Sequence, residues 1–309
     1  MKVVDRLFDA VAQKRNPSIL GLDTRLEYLP QAMLDTFDPG APFESAVSLL
    51  RTFNLALMDA VQDLIPCVKL QSAYYEMYGP EGVQLLADLI AEASSRGFIT
   101  ICDGKRNDIG STAQAYAFAY LDRTPFPDGQ ARAAFNADFL TVTPYLGMDG
   151  IAPFVEACEK QNKGIFVLVK TSNPSSGQLQ DLEVEGRPIY DHVAQMVTQC
   201  GAPLVGAYGY SSIGAVVGAT YPEQGAKLRQ AYPTLPFLVP GYGAQGAKGS
   251  DLALCFDEKG FGAVVNASRS LLCAHQKSDL PYAEATRQAA IAMREDLLAS
   301  LAAAGRLAY

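Results

Sequence analysis

The chain has 309 residues, 49% hydrophobic and 19% charged, which is enough to bury a large core as one big domain or two ordinary ones. Its formal charge of -8 argues against a nucleic-acid surface, which needs clustered Lys and Arg. The six cysteines at 67, 102, 158, 200, 255 and 273 form no C-x-x-C pair and read as reduced core thiols of a cytoplasmic protein.

The first stretch, Met1 to Asn16, carries apolar residues at Val4, Leu7, Phe8 and Val11 and acids at Asp5 and Asp9. That spacing predicts an amphipathic helix and not a signal peptide. No apolar run approaches the ~18 residues that a membrane span needs. Short β-rich runs then recur at Ser18 to Leu22, Cys67 to Leu70, Phe98 to Cys102, Phe139 to Thr143, Gly164 to Val169, Ile213 to Val217, Phe237 to Val239 and Gly262 to Val265. Between them lie helical patterns, including Phe43 to Leu64, Gly82 to Arg96 and the tail Tyr282 to Ala304. Eight such units predict an α/β fold, a closed (β/α)8 TIM barrel formed by residues 1–309 as a single domain. An open doubly wound sheet is the alternative, but Gly21-Leu22-Asp23-Thr24 lacks the dinucleotide fingerprint. For the sixth strand Leu204 to Tyr208 competes with Ile213 to Val217, and the second is preferred because Tyr208 to Ser211 reads as turn.

In a barrel the chemistry sits at the C-terminal ends of the strands. The first ends at Asp23, a turn aspartate or a ligand to something bound. The second carries Lys69 between Val68 and Leu70, where a lysine needs a partner, either Asp103 or Asp23. The third ends in Asp103-Gly104-Lys105-Arg106-Asn107-Asp108-Ile109, the densest opposed charge in the chain. Asp103 and Lys105 are two apart and leave one face of an extended strand, while Asp108 can cap the next helix or face a ligand. A lysine held between aspartates stays protonated and acts as an acid. A carboxylate crowded against a substrate carboxylate destabilises the state that decarboxylation relieves.

The fourth strand ends in Thr143-Pro144-Tyr145-Leu146-Gly147, a polar turn. The fifth ends in Lys170-Thr171-Ser172-Asn173-Pro174-Ser175-Ser176-Gly177, a loop rich in hydroxyls in which Lys170 is expected to be solvated. The seventh enters Pro240-Gly241-Tyr242-Gly243-Ala244-Gln245, whose glycines suit a closely approached anion. The eighth ends in Ser268-Arg269-Ser270, offering a planar fork for phosphate oxygens. His192 and His275 lack ligand spacing and are expected to be structural or exposed.

The stretch D-G-K-R-N-D-I resembles the signature of orotidine 5′-phosphate decarboxylase, and G-L-D-T, V-K-L-Q, T-P-Y-L-G, T-S-N-P-S-S-G, V-P-G-Y-G-A-Q-G and S-R-S resemble the long, second-type bacterial branch. It departs from that branch only at Gly104 and Asn107, where Ala and Gly are commoner. The resemblance implies decarboxylation of orotidine 5′-monophosphate to uridine 5′-monophosphate and CO2, without cofactor or metal. It assigns Lys105 the proton transfer, Asp103 the crowding of the carboxylate, and Asp108 with Lys69 the holding of Lys105. It gives the ribose to Asp23 and Lys69, the pyrimidine to Ser172 and the phosphate to Gln245 and Arg269. Thr143, Pro240, Gly241 and Ser268 fall among the substrate-binding residues. It further implies a homodimer in which Asp108 and Thr112 complete the neighbouring site, and no nucleic-acid or membrane partner. A metal-dependent phosphosugar decarboxylase or aldolase is the enzymatic alternative, and a catalytically silent phosphate-binding barrel the non-enzymatic one.

Overall fold

The computed structural model describes residues 1–309 apart from Ala244, Gln245 and Ala308. Eight parallel strands close into a barrel in sequential order: β1 Ser18–Leu22, β2 Cys67–Gln71, β3 Ile99–Arg106, β4 Phe139–Val142, β5 Gly164–Lys170, β6 Ile213–Val217, β7 Phe237–Pro240 and β8 Ala263–Ala267. β6 is the preferred run, and of its competitor only Val205 makes an isolated bridge, to Ser211. The strands are rich in Val, Ile and Leu because both faces are covered, by barrel packing inside and by helices outside.

The helices are α1 Val3–Lys14, α2 Pro42–Val61, α3 Gly79–Ser95, α4 Gly110–Tyr120, α5 Ala152–Gln161, α6 Ile189–Gly201, α7 Pro222–Ala231 and α8 Tyr282–Ala303, with shorter turns between. On α2 the buried Leu49, Leu50, Phe53, Leu57, Met58 and Val61 recur three and four apart, which lays one stripe against the strands. Each such side chain contributes roughly 1.5–3 kcal/mol on leaving water. Among the described residues no helix is long and apolar enough to cross a membrane, and all six cysteines are free, five of them buried.

Inside the barrel Ile19, Cys67, Ile101, Phe139, Phe166 and Leu238 form one cluster with Val3, Val4, Leu7, Phe8 and Val11 of α1. The apolar face of α1 therefore closes the N-terminal mouth, and the open end is left for chemistry.

Lys170 corrects the expectation of a solvated side chain. β5 pairs Leu168 with Val216 but Lys170 with Val217, so Val169 is one residue too many. The irregularity turns Lys170 to the outer face beside Val217. There it is fully buried, with Asp181 as its ionic partner.

Candidate active site

Lys69 lies inside the barrel with 3% exposure, and its Nζ donates to Asp23 Oδ1 and Asp103 Oδ2, both at 3.0 Å. Both candidate partners are thus used. Asp103 accepts from four donors: Oδ2 takes Lys69 Nζ and Gln71 Nε2, each at 3.0 Å, and Oδ1 takes Lys105 Nζ at 2.7 Å and Thr141 Oγ1 at 2.8 Å. With both oxygens committed, the carboxylate is fixed in orientation before any ligand arrives.

Lys105 meets Asp103 by a different backbone from the extended one expected. Its φ is 46°, in the left-handed region that a non-glycine residue enters at a cost of about 1–3 kcal/mol. The β3–β4 register shifts between Cys102 and Arg106, and the Lys105 N–H donates to Thr141 Oγ1 at 2.9 Å. Thr141 therefore holds both the carboxylate and the backbone that aims the lysine. The side chain of Lys105 stays 46% exposed, in contrast to the 4% of Lys69.

Burial alone would favour the neutral form of Asp103, but the charges of Lys69 and Lys105 hold its pKa well below the usual carboxylate range. Burial likewise opposes the charge of Lys69, yet Asp103 and Asp23 raise its pKa above the ordinary lysine value. Neither group changes charge between about pH 5 and about pH 9, so the pH profile of turnover is expected to show no inflection from this pair. Stability is affected only outside that window. Below about pH 4 the unfolded Asp103 takes up a proton that the folded one refuses, so its contribution fades as pH falls toward the folded value. Above about pH 10.4 the unfolded Lys69 loses a proton that the folded one keeps, and its contribution fades as pH rises through the folded value. Denaturant titrations across the range check both limbs.

These residues line a cavity of ≈ 470 Å³ with Gln71, Thr141, Ser172, Asn173 and Gln180. A second cavity of ≈ 370 Å³ is lined by Tyr28, Tyr74, Gly241, Ser268 and Arg269. Asp23, Pro240 and Asn266 line both, so the two form one elongated cleft. Ser268 Oγ donates to Asp23 Oδ2 at 2.8 Å. A side chain at Gly21 would overlap Ser268 Oγ and stand 2.7 Å from Asn266 Oδ1, so β1 approaches β8 only because residue 21 is glycine.

Two sequence expectations are altered. The lysine between two aspartates is Lys69; among the described residues of its own chain the Lys105 ammonium pairs with one carboxylate, Asp103. Asp108 and Thr112, which the resemblance assigns to the neighbouring subunit's site, line neither cavity of their own chain: Asp108 Oδ1 accepts the Ile109 N–H at 2.8 Å and Thr112 is exposed on α4. Thr143 lines a neighbouring apolar cleft with Tyr145 and Leu179, because the place in the main cavity goes to Thr141, two residues earlier on the same strand. Gln245 lies outside the described residues. Gln71 and Asn266 were findable as polar strand-end residues. Tyr28 and Tyr74 arrive from the short helical segments Leu26–Tyr28 and Ala73–Glu76 after β1 and β2; the aromatic cluster Tyr74 to Tyr78 reads in the sequence as helix core, and Tyr28 carries no signal.

A closed parallel barrel with the Lys69-Asp103-Lys105 array at one end of its mouth and Arg269 at the other defines a (β/α)8-barrel enzyme. The profile of the Orotidine 5'-phosphate decarboxylase / HUMPS family matches residues 31–278. The chain is 45% identical to orotidine 5'-phosphate decarboxylase of Rhodopirellula baltica, over 96% of this chain and 99% of that protein. It is 41% identical to the Caldicellulosiruptor bescii enzyme of the same name, over 88% and 90%. The solved structure of Leishmania donovani OMP decarboxylase superposes with a TM-score of 0.71 at 29% identity, covering 96% of this chain and 100% of that one. The chain belongs to the orotidine 5′-phosphate decarboxylase family of carboxy-lyases. The metal-dependent phosphosugar alternative is not favoured by these relatives.

Proposed function

We propose that the chain decarboxylates orotidine 5′-monophosphate with Lys105 as the proton donor and with two subunits sharing each site. The single observation that carries this is Asp103 locked by four donors beside a half-exposed Lys105 in the cleft. The C6–carboxylate bond breaks, CO2 departs, and the electron pair left on C6 takes a proton from Lys105 Nζ to give uridine 5′-monophosphate. Asp103 crowds the substrate carboxylate, and the Lys69 and Lys105 charges stabilise the developing carbanion. Asp23 and Lys69 hold the ribose, Ser172 the pyrimidine, and Arg269 with Ser268 and the Gly241 backbone the phosphate. Conversion of orotidine 5′-monophosphate to uridine 5′-monophosphate with one CO2 per turnover tests the reaction, and an unchanged substrate refutes it.

The shared site is supported by where Asp108 and Thr112 stand, outside their own cavity and beside an exposed apolar surface. Ile109 is 53% exposed, Tyr145 77% and Leu146 46%, and Gly150 of the turn that follows Leu146 lies against Asn107 and Asp108. A second copy covering this surface brings its Asp108 to Lys105. Mixing inactive Lys105→Ala and Asp108→Ala subunits is then expected to restore about a quarter of wild-type activity, since half the dimers carry one intact site in two. A mixture as dead as its parents contradicts the shared site.

A further inference from the structure

Lys170 has no part in the chemistry above, yet it is the most completely buried charge near the cleft, with a side chain 0% exposed. Its Nζ donates to Asp181 Oδ1 at 2.7 Å and Ser176 Oγ at 3.2 Å, and lies 4.4 Å from the centre of the Tyr221 ring. A buried ammonium is tolerated only with such partners. Both hydrogen-bonding partners sit on the segment that leaves β5.

That segment is tied twice at neighbouring points. The Thr171 N–H donates to Gln180 Oε1 at 2.9 Å and Gln180 Nε2 donates to Thr171 Oγ1 at 2.8 Å. One residue further out on each side, Lys170 holds Asp181. Between the ties lie Ser172 and Asn173, which line the ≈ 470 Å³ cavity together with Gln180. A side chain at Gly218 would stand 2.7 Å from the Ser172 N, so the residue that follows β6 is glycine where the Ser172 backbone passes. The lysine is anchored in the barrel wall, whereas Asp181 is 40% exposed at its side chain and belongs to the loop.

We propose that Lys170 is a positioning residue for the decarboxylation: by holding Asp181 and Ser176 it fixes the 171–181 segment, so that Ser172, Asn173 and Gln180 meet the pyrimidine end of the substrate. The inference rests on the reading of the cleft given above. Substrate binding draws on this contact, and a loop displaced by about an ångström can forfeit roughly 100-fold.

The test compares Lys170→Met, Asp181→Asn and Lys170→Arg with the wild-type chain, measuring kcat and KM for orotidine 5′-monophosphate, uridine 5′-monophosphate affinity and melting temperature. Lys170→Met and Asp181→Asn are each expected to lower kcat/KM by roughly 10- to 100-fold, chiefly through KM, with weakened product binding. Lys170→Arg, which can still pair with Asp181, restores most of the loss. The double variant costs no more than either single one, as for two partners of a single contact. A purely structural lysine would lower the melting temperature and the active fraction while leaving KM unchanged, and that result overturns the proposal. Should Lys170→Met not fold, Asp181→Asn decides alone, because its side chain is partly in solvent. Wild-type turnover in the same assay separates failure of this inference from failure of the reaction assignment.

Discussion

Lys105→Ala is expected to lower kcat by at least ~10²–10⁴-fold, the range that a positioned general acid supplies, while uridine 5′-monophosphate still binds. The loss is specific because Lys105 is the half-exposed member of the array, and Asp103 remains held by Lys69, Gln71 and Thr141 without it. Arginine at position 105 is not expected to rescue turnover, since a guanidinium keeps its proton. A Lys105→Ala enzyme with wild-type kcat would remove the lysine from the chemistry.

The second large effect concerns the far end of the cleft. Orotidine lacking its phosphate is expected to lose on the order of 10²- to 10³-fold or more in kcat/KM, because charge-assisted hydrogen bonds of ~1.5–3 kcal/mol each are forfeited. Part of that loss should appear in kcat. On the reading proposed above, energy gained at Arg269 and Gly241 would hold the orotate ring against Asp103. Arg269→Ala should penalise the nucleotide and leave the nucleoside unaffected, and equal effects on both would contradict a phosphate role for Arg269.

The barrel was readable because each strand is a short β-branched run that needs cover on both faces, because Asp23 and Asp103 follow such runs, and because Lys69 interrupts one. What stayed hidden depends on departures from regular geometry. Thr143 and Thr141 differ by one strand repeat, and only the register of β4 against β3 decides which one meets Asp103. The extra residue at Val169 inverts the face of Lys170, which no alternation of apolar and polar residues announces. Lys105 reaches Asp103 through a left-handed backbone, although counting two residues along a strand predicted the same meeting for a different reason. The apolar stripe of α1 was legible as a helix, but its use as the plug of the barrel floor followed only from the cluster it joins.

The most direct measurement is the fall in orotidine 5′-monophosphate absorbance with the wild-type chain in excess chelator. The account predicts an unchanged rate, because Lys69 and Lys105 supply the positive charge that faces the developing carbanion. A rate abolished by the chelator and restored by a divalent cation would contradict it.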